Sequence, residues 1–200
     1  VTHHEIVMDK KKNISVSLVK TVNESAKQKE KINEYGYGNA EFIRVPNSKG
    51  DTLNGWMLKP AGFDPAKKYP VLFCNYGGPG SQQVGNRFGA VSPWHQLLSQ
   101  KGFIVVSVDN TGTGYRGEEF KKKTYLQLGK FEIEDQIDAA KWLSKMSFVD
   151  GNNIGHWGWS YGGFMSPRAI TKGNEVFSAA VSVAPVTSWR PDDWTWIAAR

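Results

Sequence analysis

From residue 40 onward the apolar positions fall into short, well-separated blocks. Residues 71–75 (Val-Leu-Phe-Cys-Asn) and 103–108 (Phe-Ile-Val-Val-Ser-Val) are near-continuous apolar runs, the pattern of strands buried on both faces. Residues 153–159 and 179–183 predict two more strands. Residues 41–45 and 52–59 predict a hairpin across the turn-rich connection 46–51. Helices are expected between the strands. Over 132–146, Ile133, Ile137, Ala140 and Leu143 or Ser144 recur on one helical face. Residues 94–101, stopped by Gly102, and 161–171 predict two further helices, and 63–70 reads as loop. A hairpin followed by strand–helix alternation implies an α/β fold, with a mostly parallel sheet covered by helices on both faces. No internal repeat is visible.

Residues 1–38 follow another pattern. They are rich in Lys, Glu and Asn; 15–19 alternate like a strand and 24–35 read as a polar helix or linker. The segment is too short and polar to bury a core of its own. A boundary is therefore expected at 38/39, with 1–38 the end of a preceding domain and its linker. Across all 200 residues, 40% hydrophobic and 12% aromatic content suits a packed protein.

Charge changes this picture little. The net charge is +6 and the pI about 9.3, but the lysine runs 10–12 and 121–123 are short and far apart. Runs of three are ordinary solvated faces, so nucleic acid is not an expected partner. The single cysteine, Cys74, excludes an intramolecular disulfide and reads as a core residue. No apolar run approaches ~18 residues, so no membrane span is expected. The first residues lack a secretory signal pattern, which leaves a mature terminus or a fragment. No metal or cofactor is expected.

The candidate chemistry lies at Gly158-Trp159-Ser160-Tyr161-Gly162. Gly-x-Ser-x-Gly alone is a weak pattern, but here the serine falls where a buried strand ends and a helix begins. A sharp turn at that junction strains the serine backbone and lifts its hydroxyl above the sheet. The flanking glycines are needed because side chains there would clash across the turn. Gly163 lets the helix start close to the strand, and the helix N-terminus favours developing negative charge. The context predicts the nucleophile elbow of an α/β-hydrolase, with Ser160 as the candidate nucleophile, over an ordinary strand–helix junction with a capping serine. One oxyanion donor is expected to be the Tyr161 backbone N–H. The other is expected from the loop after the first buried strand, Tyr76-Gly77-Gly78-Pro79-Gly80.

Four separated blocks resemble the prolyl oligopeptidase family, and within it the bacterial form of the dipeptidyl peptidase IV branch. They are residues 76–82 (YGGPGSQ), 109–117 (DNTGTGYRG), 129–136 (GKFEIEDQ) and 158–164 (GWSYGGF). The likeness runs from about Ala40 to Trp189. Trp159 and Tyr161 beside the serine favour this branch over prolyl oligopeptidase itself. The resemblance implies a β-propeller coupled to an α/β-hydrolase domain. On that reading 1–38 is the last propeller strand plus linker, and 39–200 the N-terminal half of the catalytic domain. It implies an oxyanion hole made by the Tyr76 hydroxyl and the Tyr161 N–H, and a proline pocket at Val186 and Trp189. It further implies peptide substrates with a free amino terminus, cut after Pro or Ala to release di- or oligopeptides. Dimerisation of the whole protein and a periplasmic or secreted location belong to the same analogy.

The sequence also departs from the family. A triad of this fold needs an acid and a histidine after the serine. The histidines are His3, His4, His95 and His156, and none follows Ser160; the later acids are Glu175, Asp192 and Asp193. His156, four residues before the serine on the same strand, should lie ~13 Å below it, out of reach, as a core histidine. The chain is therefore expected to be a piece of a longer enzyme, with little or no peptidase activity by itself. Pro167 falls inside a predicted helix. Asp192 and Trp196 stand where the resemblance implies pocket tyrosines, so either specificity differs or the last residues are not family sequence. An esterase or lipase with the same elbow, and a catalytically inactive interaction module, are the alternative readings.

Overall fold

A computed structural model describes residues 2–21, 25–87 and 89–189. The chain divides into two compact units, Val1–Tyr37 and Gly38–Arg200.

In the first unit, β1 (Thr2–Met8) and β2 (Ile14–Thr21) form an antiparallel hairpin, followed by helix α1 (Ala26–Glu34). The Asp9 carboxylate closes the hairpin turn, accepting from the backbone N–H of Lys11 (2.7 Å) and Asn13 (2.9 Å). Strand β1 is not evident from the sequence, because His3, His4 and Glu5 interrupt its apolar pattern. Ile6 pairs with Val16 and Met8 with Ile14, and all four are exposed. No described residue of this unit is buried.

The second unit follows the expected alternation. Its elements are β3 (Glu41–Pro46), β4 (Thr52–Leu58), β5 (Tyr69–Cys74), α2 (Pro93–Gln100), β6 (Ile104–Asp109), α3 (Glu118–Lys122), α4 (Phe131–Leu143), β7 (Val149–Trp159), α5 (Tyr161–Lys172) and β8 (Ala179–Val183). The sheet order is β3-β4-β6-β5-β7-β8. The β3–β4 and β4–β6 pairs are antiparallel, and the other three are parallel.

Alternation along the strands builds two apolar layers. On one face Val71, Phe73, Val106 and Ile154 pack against α4 and α5. On the other Leu72, Cys74, Val105 and Trp157 join Leu98 of α2. Cys74 is buried, and burial pushes its thiol up to about 12, so it stays a protonated core residue. Helix α2 starts with a reciprocal cap. Ser92 Oγ accepts from His95 N–H and His95 Nδ1 accepts from Ser92 N–H, with Pro93 at the first helical position.

Three features differ from the pattern-based expectation. Strand β7 begins at Val149, because Val149 already pairs with Tyr69. Helix α3 lies in the connection between β6 and α4, directly after Gly117, where no helix was expected. Helix α4 buries a wider face than its aliphatic residues suggest: Glu132, Asp135 and Gln136 are buried alongside Ile133, Ala140 and Leu143, whereas Ile137 is only half-buried. Among the described residues no helix is long and apolar enough to cross a membrane.

Candidate active site

Ser160 lies between the end of β7 and the first residue of α5, at φ 56° and ψ −112°. A non-glycine residue at positive φ is strained and persists only where its surroundings fix it. Two hydrogen bonds do so: Ser160 N–H donates to Val183 O (3.0 Å), and Ser160 O accepts from Phe164 N–H (2.9 Å). The side chain makes no capping bond to the helix. The hydroxyl is therefore held at the positive end of α5 without being spent on it.

The neighbouring glycines are dictated by contact. A Cβ on Gly158 would stand 2.3 Å from the Gly162 backbone, across the turn. A Cβ on Gly162 would stand 2.1 Å from Asn75 O, and one on Gly163 2.5 Å from Val183 O. Backbone thus meets backbone at the elbow, which brings the end of β5 and the loop after it against the serine.

That loop carries Tyr76. Its N–H donates to Gln83 Oε1 (2.5 Å), so the hydroxyl is the donor this residue has left. The Tyr76 and Tyr161 ring centroids are 6.0 Å apart. Asn110 Nδ2 donates to Gly77 O (2.9 Å), and Gly80 N–H to Gly112 O (2.8 Å), tying the loop to the segment after β6. Beneath it, Asn75 Oδ1 accepts from Ser107 Oγ and Val108 N–H (both 3.0 Å), while Asn75 Nδ2 donates to Gln136 Oε1. Gln136 Nε2 in turn donates to Val108 O and Asn110 Oδ1 (both 3.0 Å). Asp135 accepts from Asn47 Nδ2 (2.9 Å) and Thr111 N–H (2.6 Å) and pairs with Lys49 (3.2 Å). The Asn75, Gln136, Asn110 and Asp135 side chains of this network are all paired, as rigid placement of a loop requires, while the buried Thr111 hydroxyl has no partner.

Tyr161 is buried. Its hydroxyl donates to Glu132 Oε1 (2.5 Å). Burial pushes the Glu132 carboxyl above the usual range; burial and the neighbouring Glu132 charge push the Tyr161 hydroxyl upward as well. Residues 184–189 leave the end of β8 and return to this spot. Val186 is buried, and the Trp189 ring packs on Tyr161 and on Phe164, with both centroid distances 5.2 Å. Tyr161, the neighbour of Ser160 in the chain, thus has its ring against both Tyr76 and Trp189. The stretch with Asp192 and Trp196 lies outside the described residues.

His156 is fully buried beneath the sheet end. Its Nδ1 is 3.0 Å from Ser166 Oγ and its ring meets Phe177 edge-on. Burial lowers its pKa to about 4, so it is a neutral core residue. Pro167 does sit inside α5. As a proline it has no N–H for Gly163 O, four residues before it, and Ser182 Oγ of β8 donates there instead (2.7 Å). Among the described residues no cluster of His, Cys, Asp or Glu could hold a metal. A separate cleft of about 340 Å³ along the hairpin, beside Phe42, Arg44 and Asn54, includes neither Ser160 nor Tyr76.

The model of the prolyl oligopeptidase family matches residues 90–200, more than half of the chain. The chain belongs to the prolyl oligopeptidase family. The crystal structure of Porphyromonas gingivalis dipeptidyl peptidase 4 superposes with a TM-score of 0.80 at 41% identity, over 88% of this chain and 26% of that one. The chain is 40% identical over 174 residues to a probable dipeptidyl peptidase 4 of Emericella nidulans, covering 86% of this chain and 22% of that protein. It is 38% identical over 174 residues to dipeptidyl peptidase 4 of Trichophyton equinum, again 86% and 22%. The chain therefore spans about a quarter of the length of the relatives it matches, and its second unit has the α/β-hydrolase fold.

The Gly-x-Ser-x-Gly pattern and the glycine loop pointed to Ser160, Tyr76 and Tyr161. Sequence reasoning missed the polar face of α4. Its signals were three polar residues, Glu132, Asp135 and Gln136, on the flank of the aliphatic stripe and inside the family-like block 129–136.

Proposed function

We propose that this chain supplies the nucleophile and oxyanion hole of a serine dipeptidyl peptidase that cleaves after Pro or Ala near the free amino end of peptides. The observation that carries this reading is the strained Ser160 backbone, pressed through Gly162 against the loop that bears Tyr76. Ser160 Oγ attacks the scissile carbonyl carbon while its proton passes to a base. The Tyr161 N–H and Tyr76 hydroxyl take the negative charge that develops on the carbonyl oxygen. Collapse breaks the C–N bond, releases the amine with a proton, and leaves the dipeptide as an ester on Ser160. Water then completes hydrolysis by the same steps in reverse roles. The packing of the Trp189 ring on Tyr161 supports an apolar surface suited to a proline or alanine side chain, to which the resemblance adds Val186.

No histidine of this chain follows Ser160. On this reading the base and its orienting acid are supplied from outside this chain, which spans about a quarter of the length of the relatives it matches. Residues 1–38 are assigned to the end of a preceding β-propeller domain and its linker, and 39–200 to the first half of the hydrolase domain. The exposed apolar pairs of the β1–β2 hairpin support that assignment, since such a face needs a neighbour.

Hydrolysis assays on the full-length protein test the reading. Dipeptide release from Xaa-Pro and Xaa-Ala reporter peptides is expected, with loss of at least about 10³-fold in Ser160→Ala. Turnover of acyl esters without any peptide cleavage would contradict it and favour an esterase. The 200-residue chain by itself is expected to show no turnover.

A further inference from the structure

The buried acid Glu132 has no part in the chemistry above. It is 0% exposed, and it receives the Tyr161 hydroxyl at 2.5 Å. A buried carboxyl is a poor device for stability, because desolvation offsets most of what its partner returns. Its position suggests another use. Tyr161 is the first residue of α5, immediately after Ser160, so its backbone N–H and the Ser160 backbone move together. Its side chain runs away from the elbow to α4, with the ring held between Tyr76 and Trp189. Fixing the far end of a rigid ring fixes the turn at its near end.

A second tie lies one helical turn along. Gln136, four residues after Glu132 and on the same face of α4, binds the side chain of Asn75, the residue before Tyr76. Glu132 thus holds the arm that carries the Tyr161 N–H, and Gln136 holds the arm that carries the Tyr76 hydroxyl. The two ties thus stand one turn apart on a single helix. Oxyanion stabilisation depends on the separation of the two donors, since both must meet an oxygen that exists only during reaction.

We propose that Glu132 is a positioning residue, which through the Tyr161 hydroxyl aims the Tyr161 N–H and sets it in register with Tyr76. This rests on the peptidase reading given above. Glu132 touches no substrate, so its loss should act on kcat and leave KM alone.

The test uses the full-length protein and a dipeptidyl-proline reporter substrate, with wild type, Ser160→Ala, Tyr161→Phe, Glu132→Ala, Glu132→Gln and the Glu132→Ala/Tyr161→Phe double variant. Tyr161→Phe and Glu132→Ala are each expected to lower kcat by about 10- to 100-fold, with KM within about threefold of wild type. The double variant should be no worse than the weaker single one, since both remove one contact. Glu132→Gln keeps an oxygen that accepts from the hydroxyl, and should recover at least about tenfold over Glu132→Ala. Single variants with kcat within threefold of wild type, or multiplicative losses in the double variant, overturn the proposal. If Glu132→Ala does not fold, Tyr161→Phe decides by the same threshold. An inactive wild type, or an active Ser160→Ala, defeats the peptidase reading itself. Active wild type and inactive Ser160→Ala with indifferent Glu132 and Tyr161 variants defeat only the positioning role.

Discussion

Ser160 is held in a backbone conformation that its own side chain disfavours, and the residues around it explain why it stays there. Gly162 leaves no room for a methyl group, with a Cβ 2.1 Å from Asn75 O. Gly162→Ala is therefore expected to push the elbow away from β5 and remove activity, and if folded protein is obtained its fluorophosphonate labelling should be at least about 100-fold slower. Labelling at the wild-type rate would show that the close approach is not needed. On the proposed mechanism Tyr76→Phe removes one oxyanion donor while keeping the ring packed on Tyr161. It should lower kcat by about 10²- to 10³-fold with little change in KM, as measured by steady-state kinetics of the full-length enzyme. Gly162 was legible in the sequence because a glycine at the elbow reports a steric constraint that needs no knowledge of distant residues, whereas the Tyr76 hydroxyl was implied only by the family resemblance. Glu132 was not legible. An acid on an amphipathic helix reads as solvent-facing, and the hydroxyl that justifies its burial is 29 residues away.

Helix α5 shows the same contrast among elements. The sequence marks Pro167 as out of place, and the structure shows what accommodates it: the Ser182 hydroxyl donates to the Gly163 carbonyl that a proline cannot serve. Ser182→Ala should therefore leave that carbonyl unpaired and cost about 1–2 kcal/mol, read as a lower thermal midpoint of the hydrolase unit. Pro167→Ala restores the helical donor, so adding it to Ser182→Ala should return most of the loss. Equal effects of Ser182→Ala in both backgrounds would refute this account of the helix. Strands β5, β6 and β8 were readable because an apolar run bounded by turn residues has one strong interpretation. Strand β1 and helix α3 were not. The apolar pattern of β1 is broken by two histidines, and α3 is a single short turn inside a Gly-rich connection, so local composition outweighs periodicity in both.

Across the whole molecule, the alternation of strands and helices correctly anticipated a mostly parallel sheet, while the polar network under the site depends on contacts no pattern contains. Two buried histidines also give the second unit a pH response. Burial lowers both His95 and His156 from 6.5 to about 4. An unfolded histidine takes up its proton near pH ~6.5, so the unfolded state binds more protons as pH falls below that value. The stability these neutral histidines carry is present above pH 6.5 and is lost on the way down to pH 4, with each contributing on the order of 2 kcal/mol of loss by pH 5. Thermal midpoints measured from pH 7 to pH 5 should fall, and His156→Phe should flatten the slope. An unchanged slope in that variant would mean that other groups dominate the acid response.

The central claim is that Ser160 is a hydrolase nucleophile positioned by the elbow and the Tyr76 loop. Peptide mapping by mass spectrometry after treating the full-length protein with a fluorophosphonate tests it most directly. One adduct is predicted, on the peptide carrying Ser160, absent from Ser160→Ala and strongly slowed in Tyr76→Phe. An adduct on another residue, or none on a protein that hydrolyses peptides, would contradict the account.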